Sequence, residues 1–108
     1  MNTHLADALT NAFPHLYENV YFEIDDGWMM LLWRLSLKLK PLGVQATQVK
    51  EKFGALRFYT DCTSNEIKVA IQEAECLSLI TCEACGRPGT ATATSWIKTY
   101  CEDCANEM

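Results

Sequence analysis

Thr81-Cys82-Glu83-Ala84-Cys85-Gly86-Arg87-Pro88-Gly89 and Cys101-Glu102-Asp103-Cys104-Ala105, with fifteen residues between Cys85 and Cys101, form the stretch around which the chain is organised. Two residues between cysteines let one tight turn aim both sulfurs at a single point, about 2.3 Å from a metal ion. Two such pairs, the second returned by a hairpin, supply the four thiolates of a tetrahedral zinc site, one ion held by Cys82, Cys85, Cys101 and Cys104. Four protein ligands leave no position for water or substrate, so the expected zinc is structural. The pairs differ. Gly86 follows the first and tolerates the positive φ of a sharp turn, whereas Ala105 follows the second and leads into a last turn of helix. Knuckle, hairpin and helix in that order describe a treble clef, with a zinc ribbon as the close alternative.

Other uses of the four cysteines fit less well. The stretch from Met1 to Phe13 has no basic residue before its apolar positions, so no secretory signal is expected, and the reducing surroundings that this implies disfavour a disulfide framework. A redox pair needs one Cys-x-x-Cys at the head of a long helix, and here there are two pairs together. Rubredoxin-like iron sites have a glycine after each second cysteine, which Ala105 breaks. Cys62 and Cys76 lie outside the metal set and read as half-buried thiols.

At 108 residues, with hydrophobic residues making up 49% of the chain, one small domain is expected, of a size that a metal staple helps to hold. Residues 1–80 form its helical and hairpin core, and residues 81–108 a zinc module continuous with it. The net charge of −5 hides an asymmetry. Residues 1–33 carry five acids and no Lys or Arg, residues 34–57 six bases against Glu51, and residues 58–108 three bases against eight acids. Such a balance repels phosphate backbones over most of the surface, so a protein partner is favoured, and the central bases are the only segment suited to nucleic acid. The longest apolar runs fall short of a membrane span, and the cytoplasm is the expected location.

Taken in order, residues 3–13 show one apolar helical face (Leu5, Ala8, Leu9, Ala12, Phe13) stopped by Pro14. Residues 16–24 mix aromatics with acids and read equally as helix or strand. Asp25, Asp26 and Gly27 are capping material for a helix over residues 28–40, whose stripe of Trp28, Leu31, Leu32, Leu35 and Leu39 is widened by Met29, Met30, Trp33 and Leu37. That width leaves a homodimer open, with Trp33 as its probe. Residues 44–50 and 55–60 predict a hairpin around a turn at residues 51–54. Thr63 and Glu66 predict a capping box for a helix to about Leu79, burying Ile67, Ala70, Ile71, Ala74 and Leu77. Residues 90–94 and 95–100 predict the hairpin between the cysteine pairs, with Trp96 and Tyr100 covering the metal. The fold class is α+β: helices on a short antiparallel hairpin, completed by the zinc module.

Three pieces carry a resemblance: Gly27-Trp28, the segment Lys50-Glu51-Lys52-Phe53-Gly54-Ala55-Leu56-Arg57-Phe58-Tyr59, and the run from Ala74-Glu75 into Thr81-Cys82-Glu83-Ala84-Cys85-Gly86. Together they resemble a family of small, largely uncharacterised proteins of bacteriophages and bacterial genomes, whose members often end in Cys-x-x-His where this chain has Cys104. The resemblance implies a zinc module and no settled activity; a phage setting implies an inhibitor of a host defence system, of the anti-CRISPR kind, or an adaptor. Candidate partner-binding residues are Tyr17, Tyr21, Glu23, Asp25 and Asp26, aromatics beside acids, and the bases Lys50, Lys52 and Arg57. The alternative is a nucleic-acid-associated regulator in which those bases are joined on one face by Arg87 and Lys98. Catalysis is not expected, because His4 and His15 have no nucleophile partner in the pattern and no phosphate loop occurs.

Overall fold

The computed structural model describes residues 1–93 and 95–107; Thr94, at the end of the predicted 90–94 strand, and Met108 lie outside the described residues. The architecture is α+β. Helix α1 (Thr3–Ala12) is capped by Asn2, whose side chain accepts from the His4 amide, and it buries Leu9. The ambiguous segment splits. Leu16 and Tyr17 sit in turns after Pro14, and Phe22–Glu23 forms strand β1, parallel to the hairpin.

Helix α2 (Met29–Leu39) buries Leu31, Leu32, Leu35 and Leu39. Its expected caps are used elsewhere. Residues Asp26–Trp28 form a single 3-10 turn in which no side chain caps the helix. Asp26 Oδ1 instead accepts from the Asn2 amide at 2.6 Å, and the Asp25 amide donates to Glu83 Oε2 at 3.1 Å. Trp33 lies edge-on to Phe13 with ring centroids 5.1 Å apart, so it belongs to the core margin and is no clean probe of a dimer.

Strands β2 (Ala46–Lys52) and β3 (Ala55–Thr60) pair antiparallel, with β2 at the centre of a β1-β2-β3 sheet. Phe53 and Gly54 alone make the turn, both at positive φ (54° and 80°), the two-residue geometry whose twist matches the strands. Glu51 and Lys52 are therefore strand residues. Alternation turns Val49, Leu56 and Phe58 inward with Phe22 and leaves Glu23, Lys50, Arg57 and Tyr59 outward.

Helix α3 (Asn65–Ser78) is capped by Ser64, not Thr63: the Ser64 hydroxyl accepts from the Ile67 amide, so the cap lies one residue later than the sequence box predicts. α3 lies along the free edge of β3. Its Ser78 hydroxyl accepts from the Leu56 amide (2.9 Å) and Glu75 Oε2 from the Phe58 amide (3.2 Å), which satisfies an otherwise unpaired strand edge. This explains a fully buried serine in an apolar stripe. Ile67, Ala70 and Ala74 are buried as expected, while Leu77 is 41% exposed. Cys62 and Cys76 are exposed, contrary to the half-buried reading, because Cys62 lies in the loop after β3 and Cys76 on the outer side of α3.

Candidate metal centre

The first cysteine pair is built by a knuckle. The Gly86 amide donates to Cys82 O at 2.9 Å, which needs the positive φ of 84° that Gly86 adopts. The Cys82 amide donates to Arg87 O at 2.7 Å and closes the turn. A short hairpin of β4 (Thr90–Ala91) and β5 (Thr99–Tyr100) then returns the chain. Cys101 caps helix α4 (Glu102–Asn106), its sulfur accepting from the Cys104 amide at 3.4 Å, so the second pair sits on the first turn of a helix.

The four sulfurs lie within 4.8 Å of one another, and Cys85 Sγ is 3.6 Å from Cys101 Sγ. Sulfurs at about 2.3 Å from a central tetrahedral ion are about 3.8 Å apart, so the donor set fits a four-thiolate metal ion. Cys82 and Cys101 are buried, Cys104 is partly covered and Cys85 is exposed. Arg87 supplies the charge complement: its Nε donates to Cys85 Sγ at 3.4 Å and a terminal nitrogen to Cys101 Sγ at 3.7 Å, while Asp103 pairs with the same guanidinium at 3.2 Å. In the metal-free site, the bond from Arg87 pulls the Cys85 thiol down to about 6, and the hydrogen bond with Cys101 together with burial pushes Cys104 up to about 12. Such outer partners orient ligands and tune the metal.

The module is locked to the core through Glu83, the residue after the first cysteine. Its carbonyl accepts from the Gly27 amide at 2.6 Å and its side chain is 2% exposed. The Trp28 indole donates to Thr81 O at 2.9 Å. A methyl group at Gly27 would lie 2.2 Å from Cys82 O, which is why only glycine fits before the tryptophan. Lys98, between the hairpin and the module, holds Glu51 at 3.0 Å and lies 3.8 Å from Glu83. Burial raises the Glu83 carboxyl above its usual range, an effect that the Lys98 charge only partly offsets, since Glu83 Oε1 has no hydrogen-bond partner. Thr99 Oγ1 donates to Gly54 O at 2.7 Å, tying β5 to the hairpin tip.

The candidate partner residues separate into three groups. Tyr17 is a core residue, 1% exposed and bonded to the Ser36 hydroxyl at 2.5 Å, so it offers no surface. Asp25 and Asp26 are exposed but sit in the loop that receives the metal module. Glu23, Lys50, Lys52 and Arg57 fall on the open face of the sheet, and Tyr21, exposed, immediately precedes β1. Arg87 and Lys98 do not join them, being engaged at the sulfurs and with Glu51. Trp96 does not cover the metal: it is 73% exposed and lines a cleft with Glu51, Phe53, Ser95 and Ile97. Sequence reasoning missed Glu83, Arg87 and Glu51 as partners of the centre; their positions within or beside the quoted motifs were the only signal.

The fold and site define an α+β domain with a four-cysteine centre capable of holding a metal ion. The chain matches no protein-family model, and no curated protein and no solved structure matches it. No helix among the described residues is long and apolar enough to cross a membrane.

Proposed function

We propose that this is a structural-zinc protein that acts by protein–protein contact. The ion is zinc, because four thiolates in a closed tetrahedral set with an arginine beside them suit it and offer no open coordination position. We read the module as a treble clef, from its knuckle, hairpin and ligand-bearing helix. The zinc holds the domain together; the work is done elsewhere on the surface.

The observation that carries the reading is an apolar groove of about 370 Å³ between α2 and α3, lined by Leu31, Leu35, Leu37, Ala70, Ala74 and Leu77 and rimmed by Arg34, Lys38 and Glu73. It continues along α3 past Val69 and Cys76, and Leu79 and Ile80 are also exposed nearby. Leu31, Leu35, Ala70 and Ala74 floor the groove and are buried, while Leu37 and Leu77 stand exposed at its sides; exposed apolar side chains with a polar rim suit a protein interface. The occupant is a partner protein that inserts apolar side chains between the helices, over a rim where Lys38 and Glu73 pair with each other at 2.6 Å and Arg34 is left to meet an acid. The phage setting implied by the resemblance makes a component of a host defence system the natural target, in the cytoplasm of the host, with the protein as inhibitor or adaptor.

The test is affinity purification from the native host with and without nuclease, using the wild type, Leu77→Glu and, as the control, Lys68→Gln, an exposed α3 residue outside the groove lining. A stoichiometric protein that survives nuclease, persists with Lys68→Gln and disappears with Leu77→Glu supports the groove. A partner set unchanged by Leu77→Glu in a folded, zinc-loaded variant overturns it.

A further inference from the structure

The open face of the β1-β2-β3 sheet is a second surface, and its chemistry is different. The register places Lys50 directly opposite Arg57, with Glu23 opposite Lys50 on the other side. Like charges facing each other across strands destabilise a sheet. Among the described residues, Lys50, Lys52 and Arg57 have no ion-pair partner within 4.0 Å, as is also true of Arg34, Lys40 and Lys68, whereas Lys38, Arg87 and Lys98 each have one. Glu23 is adjacent in register and still not paired. Arg57 Nε is also shielded from water without a hydrogen-bond acceptor. These three differ from the other unpaired cations in sharing one sheet face, where they outnumber the single carboxylate of Glu23, in a protein with a net charge of −5.

Exposed aromatic rings stand among these cations. Tyr59 is 47% exposed on β3, two residues from Arg57 and opposite Gln48. Tyr21, 82% exposed, immediately precedes buried Phe22, and strand alternation carried one residue back from β1 puts it on the side of Glu23. Continuing the β1–β2 register brings it beside Gln48, with Tyr59 on the far side. Phe53 projects from the hairpin tip, with Lys52 Nζ 5.7 Å from its ring centre. Positions two apart on a strand are about 6.8 Å apart, so one row of the face carries Gln48 and Tyr59, the next Glu23, Lys50 and Arg57, and Lys52 lies beyond them toward Phe53 at the tip. Rings on which bases stack, beside cations that follow a backbone, are how single strands are bound; paired bases would be hidden from the rings.

We propose that the sheet face formed by Tyr21, Lys50, Lys52, Arg57 and Tyr59 binds an unpaired nucleic-acid strand, stacking its bases on the two tyrosines and neutralising its phosphates with the three cations. The strand supplies the facing Lys50 and Arg57 with anions beyond the one carboxylate of Glu23, and an outward turn of the Arg57 guanidinium satisfies its orphan donor. This surface does not involve the α2–α3 groove, so the two readings fail separately.

The experiment is fluorescence anisotropy of labelled oligo-dT and oligo-U with the zinc-loaded full chain, and a duplex of equal length as comparison. Three neutralised phosphates predict that raising salt from about 50 to 200 mM weakens single-strand binding roughly twentyfold. Tyr59→Ala weakens it about fivefold to hundredfold at unchanged salt slope, and Tyr59→Phe restores it. Lys50→Gln lowers the slope by about 0.7, while Lys68→Gln on α3, the same loss of charge elsewhere, leaves it unchanged. Where Tyr59→Ala disturbs the fold by circular dichroism, Tyr21→Ala, outside the strands, carries the test. The proposal is overturned by no anisotropy change with either oligonucleotide at the lower salt, by duplex binding as tight as single-strand binding, or by binding that survives both a tyrosine variant and Lys50→Gln.

Discussion

Replacing Gly27 by alanine tests how the metal module is joined to the core. The added methyl would lie 2.2 Å from Cys82 O and 2.4 Å from Glu83 O, both backbone atoms that no rotamer change can move aside. Restoring ordinary contact requires the knuckle to retreat by about 1 Å. That retreat stretches the 2.6 Å bond from the Gly27 amide to Glu83 O to about 3.6 Å, beyond hydrogen-bonding range, and loosens the 2.9 Å bond from Trp28 to Thr81 O. An orphaned buried group costs about 1–3 kcal/mol and a second weakened bond about 1 more, so the loss is about 3 kcal/mol out of a total stability on the order of 5–15. In a domain of this size that lowers Tm by roughly 12–20 °C. The φ of Gly27 is not in the left-handed region, so without the clash alanine would stabilise the turn by about 0.5–1 kcal/mol. The predicted sign is thus opposite to the propensity sign. Gly43→Ala is the control: at φ +69° with nothing within 4 Å, it costs only about 1–2 kcal/mol of backbone strain. The assay is thermal unfolding by circular dichroism with zinc in excess, alongside the rate of zinc release to a chromogenic chelator, which should rise for Gly27→Ala alone. A Gly27→Ala protein that melts at or above the wild-type temperature would refute the docking argument.

Removing the metal by chelation, or Cys82→Ser at the fully buried ligand, should abolish cooperative unfolding of the C-terminal module, read as loss of chemical-shift dispersion from residue 81 onward. Ser78→Ala leaves the Leu56 amide without its acceptor and should cost about 1–3 kcal/mol in urea denaturation, far more than a surface serine. Glu83 has a raised carboxyl, so the folded state holds its proton more tightly than the unfolded chain, and wild-type stability falls as pH rises from 4.5 through the folded value. Glu83→Gln, which cannot ionise, should therefore gain on the wild type toward neutral pH with zinc in excess; a less stable Glu83→Gln at neutral pH would mean that attraction to Lys98 outweighs burial.

The sequence alone placed the four cysteines around one point, because a Cys-x-x-Cys turn and a short hairpin are local geometry set by spacing. It also placed α2, α3 and the hairpin, whose apolar periodicities of 3.6 and 2 do not depend on distant residues. It could not assign the residues that act across the fold. The Glu83 side chain reaches Asp25 over 58 positions and the Trp28 indole reaches Thr81 over 53, separations that no local pattern records. Asp25 and Asp26 read as caps because capping is local, yet tertiary contacts claimed one by its backbone and the other by its side chain. Tyr17 and Tyr21 look alike in the chain; only the turn after Pro14 and the path of β1 send one into the core and the other into solvent. Likewise, Lys50, Arg57, Arg87 and Lys98 were equal as charges until strand register set the first two side by side with no ion pair and the metal module took the others. Spacing decides local geometry, and packing decides which side chains remain available.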